Sequence, residues 1–231
     1  MPNLINFMLP SLLIVGISYL LGSISFSIIF TKLFYNHTDI RTLGSGNAGL
    51  TNVLRCVGIK AGLLTLVFDF SKGAASVFIS KTIFQPLCIQ YNLPEYFTHY
   101  GACLAGIACV VGHIYPVFFH FRGGKGVLTS AGIIALLDWR CFMIALFVFA
   151  IVFVISKIVS ISSVCSALSF PLVNFYFSYF IQWKLGYVPF SYVIITTTFS
   201  LFLAGLLVYK HRTNLQRLRN GTEKKLTIKR P

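Results

Sequence analysis

Acidic side chains are scarce in this sequence. The 231 residues contain five Asp and Glu against nineteen Lys and Arg, and charged residues make up only 10%. A soluble domain carries about 25% charged residues. So few carboxylates argue against a metal site built from oxygen ligands. The six cysteines (Cys56, Cys88, Cys103, Cys109, Cys141 and Cys165) include no CxxC pair. Zinc needs clustered ligands, and a disulfide framework suits a small secreted domain, so these residues are expected to pack as small hydrophobes. No G-x-S-x-G elbow is present. Five residues on from His37, His99, His113, His120 and His211 stand Thr42, Leu104, Phe118, Lys125 and Gln216, so no His-x4-Asp dyad exists. Lys125 is followed by Gly126 rather than Ser or Thr, which removes a Walker A loop.

Apolar residues dominate instead: 56% are hydrophobic and the mean hydropathy is +0.81. That surplus is too large to bury inside a 25.8 kDa chain, so the expectation is an all-α polytopic membrane bundle, a single domain over 1–231. Residues 1–31 carry no charged side chain, and the basic n-region of a cleaved signal peptide is missing. They read as a retained first span near 4–31. Further spans are expected near 61–80, 99–120, 126–138, 141–156, 158–181 and 186–209. That makes about seven transmembrane helices, with 126–138 and 141–156 short for a crossing.

With the N-terminus outside, fifteen of the nineteen basic residues fall on the cytoplasmic side. Lys81, Arg140 and Lys184 fall outside, and Lys72 lies within a span. This bias predicts a cytoplasmic C-terminus, a cytoplasmic loop at 32–60 and a basic cytoplasmic tail at 210–231. The net charge of +14 is explained by that rule and by anionic headgroups or a phosphorylated substrate, so nucleic acid is not an expected partner.

Three constellations carry candidate chemistry. Gly44-Ser45-Gly46-Asn47-Ala48-Gly49-Leu50-Thr51-Asn52 leads to Arg55, a glycine-rich turn with hydroxyls, amides and a guanidinium suited to a phosphate. Gly112-His113-Ile114-Tyr115-Pro116 is followed by Phe121-Arg122-Gly123-Gly124-Lys125-Gly126, a second cationic glycine turn. After the last span come His211, Asn214 and Leu218, spaced to share one helix face, then Gly221 as a helix stop and Glu223. Asp69 and Lys72, at i and i+3 inside a span, are expected to face the bundle interior.

Four blocks in order, GSISFSIIF (22–30), GSGNAGLTNVLRCVG (44–58), GHIYPVFFHFRGGKG (112–126) and HRTNLQRLRNGTE (211–223), resemble the bacterial acyl-phosphate:glycerol-3-phosphate acyltransferases, the PlsY family. DFSKGA (69–74) and the Ser160–Ser163 segment support the resemblance. It implies a seven-helix enzyme of the bacterial cell (inner) membrane with a cytoplasm-facing active site. Such an enzyme transfers an acyl group from acyl-phosphate to the sn-1 hydroxyl of glycerol 3-phosphate, releasing lysophosphatidic acid and phosphate. No cofactor or metal is implied. The enzymes that make acyl-phosphate and acylate lysophosphatidic acid become candidate partners.

By motif, the resemblance implies catalytic roles for Ser45, Arg55, Lys125, His211 and Asn214. It implies substrate-binding roles for Asn47, Asn52, Gly123, Gly124, Ser160, Ser163 and Glu223, with the Gly123 and Gly124 N–H groups assisting at a phosphate. Three departures stand out. Ser25 replaces a proline of the family pattern, Ala48 and Leu50 differ within the first loop, and residues 84–97 look long, with an outer loop expected there. The rival class is a membrane binder or transporter of phosphorylated metabolites.

Overall fold

The structure, a computed structural model, describes residues 4–226 and residue 228. Lys229 and Arg230, counted above in the basic tail, lie outside the described residues. The described chain is helical, without strands. Among the described residues, six helical stretches are long and apolar enough to cross a membrane: Asn6–Phe34, Ile59–Gln90, Tyr96–Phe119, Trp139–Ser156, Val159–Trp183 and Phe190–Lys210. The expected span near 126–138 is a helix of 11 residues, Val127–Leu137. At 1.5 Å per residue it covers about 16 Å, roughly half a hydrocarbon core. It does not cross alone; it packs along the Ile59–Gln90 helix.

The first span is broken. Helix α1 (Leu4–Ser23) and helix α2 (Phe26–Phe34) are separated at Ile24 and Ser25. The break forms with serine where the family pattern has proline. Its exposed carbonyls have a partner: Lys72 Nζ donates to Gly22 O at 3.0 Å and Ile24 O at 2.7 Å. Lys72 also pairs with Asp69 at 2.9 Å, both side chains being at most 2% exposed. The ion pair thus faces inward, as its cost in lipid requires.

After α2, the loop contains a 3-10 turn (Ile40–Thr42) and helix α3 (Leu50–Cys56). Helix α4 (Ile59–Gln90) and helix α5 (Tyr96–Ile114) follow. This corrects the expectation of an outer loop over 84–97: residues 84–90 continue α4 and the connection is only Tyr91–Glu95. Pro86 lies inside the helix. Packing outweighs its missing N–H, because Phe84 and Cys88, one turn apart, are both buried. Phe84 sits against Gly101 of α5, and Cys88 Sγ accepts from Thr98 Oγ1 at 3.6 Å.

Helices α6 (Val127–Leu137), α7 (Trp139–Ser156), α8 (Val159–Tyr176), α9 (Phe190–Lys210) and α10 (Arg212–Arg219) complete the bundle. A π-helical stretch, Phe177–Trp183, extends α8. Lipid offers no hydrophobic drive between helices, so close backbone approach does the packing. Gly22 of α1 faces the Cys109 backbone of α5, and Gly112 of α5 faces the Tyr19 backbone. Gly73 of α4 and Gly132 of α6 make the same reciprocal contact with Thr129 and Phe70. All six cysteines are free, four of them buried.

Candidate active site

The polar segments meet at one end of the bundle around a cavity of about 550 Å³. Its mouth is lined by Ser45, Asn47, Asn52, Arg55, Lys125, His211, Asn214, Ser160, Ser163 and Glu223. All ten side chains expected from the sequence to act there are therefore brought together, from α3, α8, α10 and the connecting segments. The interior is apolar, with Ile134, Phe142, Leu146, Phe170 and Leu203 among its walls.

Asn52 organises the first loop. Its Nδ2 points at the carbonyls of Ile40 (3.2 Å), Leu43 (3.0 Å) and Asn47 (3.2 Å), while Oδ1 accepts from the Ser45 N–H at 3.0 Å. The 2%-exposed amide is thus occupied with the backbone that presents Ser45 and Asn47. Gly44 makes this fold of the loop feasible: its φ is +55°, and a Cβ there would collide with the Asn52 amide and Cys56 Sγ. Arg55 reaches the cavity from the last turn of α3. Its Nη2 donates to the Lys225 carbonyl at 3.4 Å, and its Nε is buried with no partner among the described residues.

The second glycine turn behaves differently from the sequence expectation. The Gly123 N–H donates to Ile114 O and the Gly124 N–H to His113 O, each at 3.2 Å. Neither glycine lines the cavity. These two N–H groups are committed to closing the turn rather than open to a phosphate, which corrects that expectation. Gly124 is pressed between His113 Nε2 and Ala48 O, so the absence of a Cβ lets the second loop lie against the first. Of the two cations on this turn, Lys125 enters the cavity while Arg122 is exposed.

The third segment folds back on itself. α9 ends at Lys210 and α10 begins at Arg212, with buried His211 between them. At the end of α10, the Thr222 N–H bonds Arg217 O (2.8 Å) and the Gly221 N–H bonds Leu218 O (3.1 Å). With Gly221 at φ +69°, this is a Schellman stop. The reversal delivers Glu223 to the cavity. Its Oε1 accepts from Asn214 Nδ2 (2.6 Å) and Ser160 Oγ (2.8 Å), and its Oε2 from Arg217 Nε (2.7 Å). Asn214 Oδ1 in turn accepts from Lys125 Nζ. Two further bonds hold the segment after Glu223: the Leu226 N–H donates to Lys157 O at 2.9 Å, and Arg55 Nη2 to Lys225 O. Arg217 was not singled out in the sequence. The signal was its place on α10 just before a glycine that returns the chain.

Electrostatics follow from this packing. Burial pushes the Lys125 ammonium down to about 8; Glu223 pulls upward, while Arg217 and Lys210 add to the fall. Burial and then Lys125 lower His211 to about 4, so the ring is neutral near pH 7. Its Nδ1 donates to Leu207 O at 2.8 Å, which leaves Nε2 as the acceptor. Burial works to raise Glu223, but its bonds from Asn214, Arg217 and Ser160 outweigh that and hold the carboxyl below its usual range. Ser163 Oγ bonds back to Val159 O at 2.8 Å while facing the cavity. Asp69 and His113 also border the cavity, with Asp69 Oδ1 3.8 Å from His113 Nδ1.

Comparison with known proteins places the chain in a family. The family described as glycerol-3-phosphate acyltransferase matches residues 12–221. A glycerol-3-phosphate acyltransferase of Thermoanaerobacter sp. (strain X514) is 40% identical over 91% of this chain and 92% of its own. One from Endomicrobium trichonymphae is 39% identical over 96% and 98%. The crystal structure of PlsY (YgiH), an integral membrane glycerol 3-phosphate acyltransferase in its glycerol 3-phosphate form, superposes with a TM-score of 0.75 at 31% identity, covering 94% of this chain and 96% of that one. Its lysophosphatidic acid form gives 0.72 at 31% identity, covering 93% and 94%. On sequence and fold together, the chain belongs to the glycerol-3-phosphate acyltransferase family of integral membrane enzymes.

Proposed function

We propose that the protein transfers a fatty acyl group from an acyl-phosphate to the sn-1 hydroxyl of glycerol 3-phosphate. The observation that carries this reading is one cavity with a cationic, hydrogen-bonding mouth and an apolar interior between membrane helices. That division matches a donor whose head is a phosphate and whose tail is a hydrocarbon. Its apolar far end also opposes a through-membrane path, which would need polar groups near the midplane.

In this reading Arg55 and Lys125 hold the substrate phosphates, and Ser45 and Asn47 hydrogen-bond them. Asn52 keeps the first loop in shape, and Gly123 and Gly124 set the backbone behind Lys125. The other free hydroxyl of glycerol 3-phosphate, at sn-2, donates to His211 Nε2 and leaves the sn-1 hydroxyl proton to a phosphate, while Asn214 and Glu223 fix Lys125. Ser160 and Ser163 line the passage from mouth to interior.

The hydroxyl oxygen attacks the acyl carbonyl carbon, a C–O ester bond forms, and the bond from that carbon to the phosphate oxygen breaks. The phosphate departs with the electron pair, and a phosphate oxygen takes the hydroxyl proton. An acyl-phosphate is a mixed anhydride, so positioning two anions and offsetting their repulsion is most of the task. A His211 lowered to about 4 is a poor proton acceptor near neutrality, which supports an orienting role for it and a phosphate as the base.

The bias of basic residues supports an inner-membrane protein whose site faces the cytoplasm, with the N-terminus outside. The enzymes that make acyl-phosphate and that acylate lysophosphatidic acid are the natural neighbours in the pathway. The test is purified protein with palmitoyl-phosphate and glycerol 3-phosphate, following phosphate and lysophosphatidic acid together, with palmitoyl-CoA as parallel donor. Coupled formation of both products from palmitoyl-phosphate alone is expected. Binding of either substrate without product would overturn the reading in favour of a binder or transporter.

A further inference from the structure

The apolar interior ends at a wall that four helices agree upon. From the mouth inward, the cavity is lined to Ile134 on α6, Phe142 on α7, Phe170 on α8 and Leu203 on α9. The α7–α8 register is pinned midway, where Ser166 Oγ donates to Ala145 O at 2.7 Å. Along α8, Ser160 at the mouth and Phe170 are ten residues apart, about 15 Å. That is half of the roughly 30 Å hydrocarbon core, the depth of one leaflet.

Phe170 differs from the other wall residues in one respect: it borders a second, much smaller cavity as well. This one measures about 20 Å³, room for about one water, and is also lined by His99, Asp138, Asn174 and Tyr192. The Phe170 ring is 4% exposed and meets Phe199 edge-on, with centroids 6.5 Å apart at 90°. Apolar space thus lies on one side of the ring and a polar pocket on the other. Asn174 Nδ2 there has no partner among the described residues, and Tyr192 Oη lies 3.5 Å from His99 Nδ1.

We propose that Phe170 determines acyl-chain length, its ring being the partition on which the terminal methyl of the acyl tail stops. The inference rests on the acyl-donor reading above. A chain longer than the arm must displace a buried aromatic ring or enter polar surroundings, and both are unfavourable. Shortening the side chain joins the two cavities; enlarging it shortens the arm.

The experiment compares wild type with Phe170→Ala, Phe170→Leu and Phe170→Trp, using lauroyl-, palmitoyl- and arachidoyl-phosphate with glycerol 3-phosphate. In Phe170→Ala the arachidoyl-to-palmitoyl ratio of kcat/KM is expected to rise about tenfold, and Phe170→Leu is expected to move the same way by less. In Phe170→Trp the lauroyl-to-palmitoyl ratio rises instead. Phe84→Leu, buried in a separate cluster, controls for loosening and keeps the wild-type ratios. If Phe170→Ala does not fold, the opposite shifts of the Leu and Trp variants decide the matter. Unchanged ratios in the Phe170 variants, or equal shifts in Phe84→Leu, overturn the proposal. Wild type inactive with all three donors overturns the donor reading itself, a separate outcome.

Discussion

Lys125 donates a hydrogen bond to Asn214, although 89 residues separate them in the chain. Asn214 passes the link on to Glu223, which also gathers Ser160 and Arg217. One carboxylate therefore ties the second glycine turn, the start of α8 and the segment after α9 into a single framework around the site's lysine.

The first prediction concerns that lysine's charge. Lys125 sits near 8 in the free protein, so it is cationic below that pH and neutral above it. Activity measured as kcat/KM, which reports the free enzyme, is expected to fall as pH rises through about 8. Lys125→Arg should move this alkaline limb upward, since the guanidinium stays charged. Lys125→Ala should lose about a hundredfold or more at pH 7. A profile unchanged by Lys125→Arg would detach the limb from this residue.

Glu223→Ala is expected to act at a distance. It strands Asn214 and Arg217 and costs about 2 kcal/mol, the scale of hydrogen bonds to a charged group. It also frees Lys125 from its positioned state, so kcat/KM should drop at least tenfold while the spans remain inserted. Thermal unfolding and turnover, read on the same purified sample, check both halves.

Gly44→Ala tests the first loop. The φ of +55° and the collision with Asn52 oppose any side chain there. Substrate binding should weaken, and the melting temperature should fall less than in a variant of the spanning-helix core around Ile133, because the strain falls on the loop and its separate small cluster. A loss of thermal stability equal to that of a core variant would contradict this.

Lys72→Ala should be the most damaging of the set for folding. It leaves the buried Asp69 carboxyl unpaired and the Gly22 and Ile24 carbonyls unmet. Breaking a buried pair costs about 3–5 kcal/mol. Replacing both members, Asp69→Asn with Lys72→Met, should recover part of the melting temperature lost in the single variant, read by heating in detergent.

Much of this was legible in the residues. Composition alone required a helical membrane bundle, and the ordered blocks around Ser45, Arg55, Lys125, His211 and Glu223 identified the residues that meet at the cavity mouth. What the residues left hidden depends on three-dimensional packing. Residues 84–97 read as an outer loop because the segment looks long for the family, but burial of Phe84 and Cys88 keeps α4 helical past Pro86. The glycines at 123 and 124 read as open amides, and only the fold reveals that the carbonyls of His113 and Ile114 already receive them. The break at Ile24 has no proline to announce it; a lysine 48 residues away supplies its partner. Phe170 looks like any core aromatic until cavities appear on both of its sides.

The segment after α9 has a temporal consequence. His211, Asn214, Arg217 and Glu223 all follow the last spanning helix. During synthesis, every membrane helix is made before the residues that complete the site. A released chain truncated after residue 210 is expected to insert its helices yet remain catalytically silent, so activity follows only once the lipid-embedded frame is already in place.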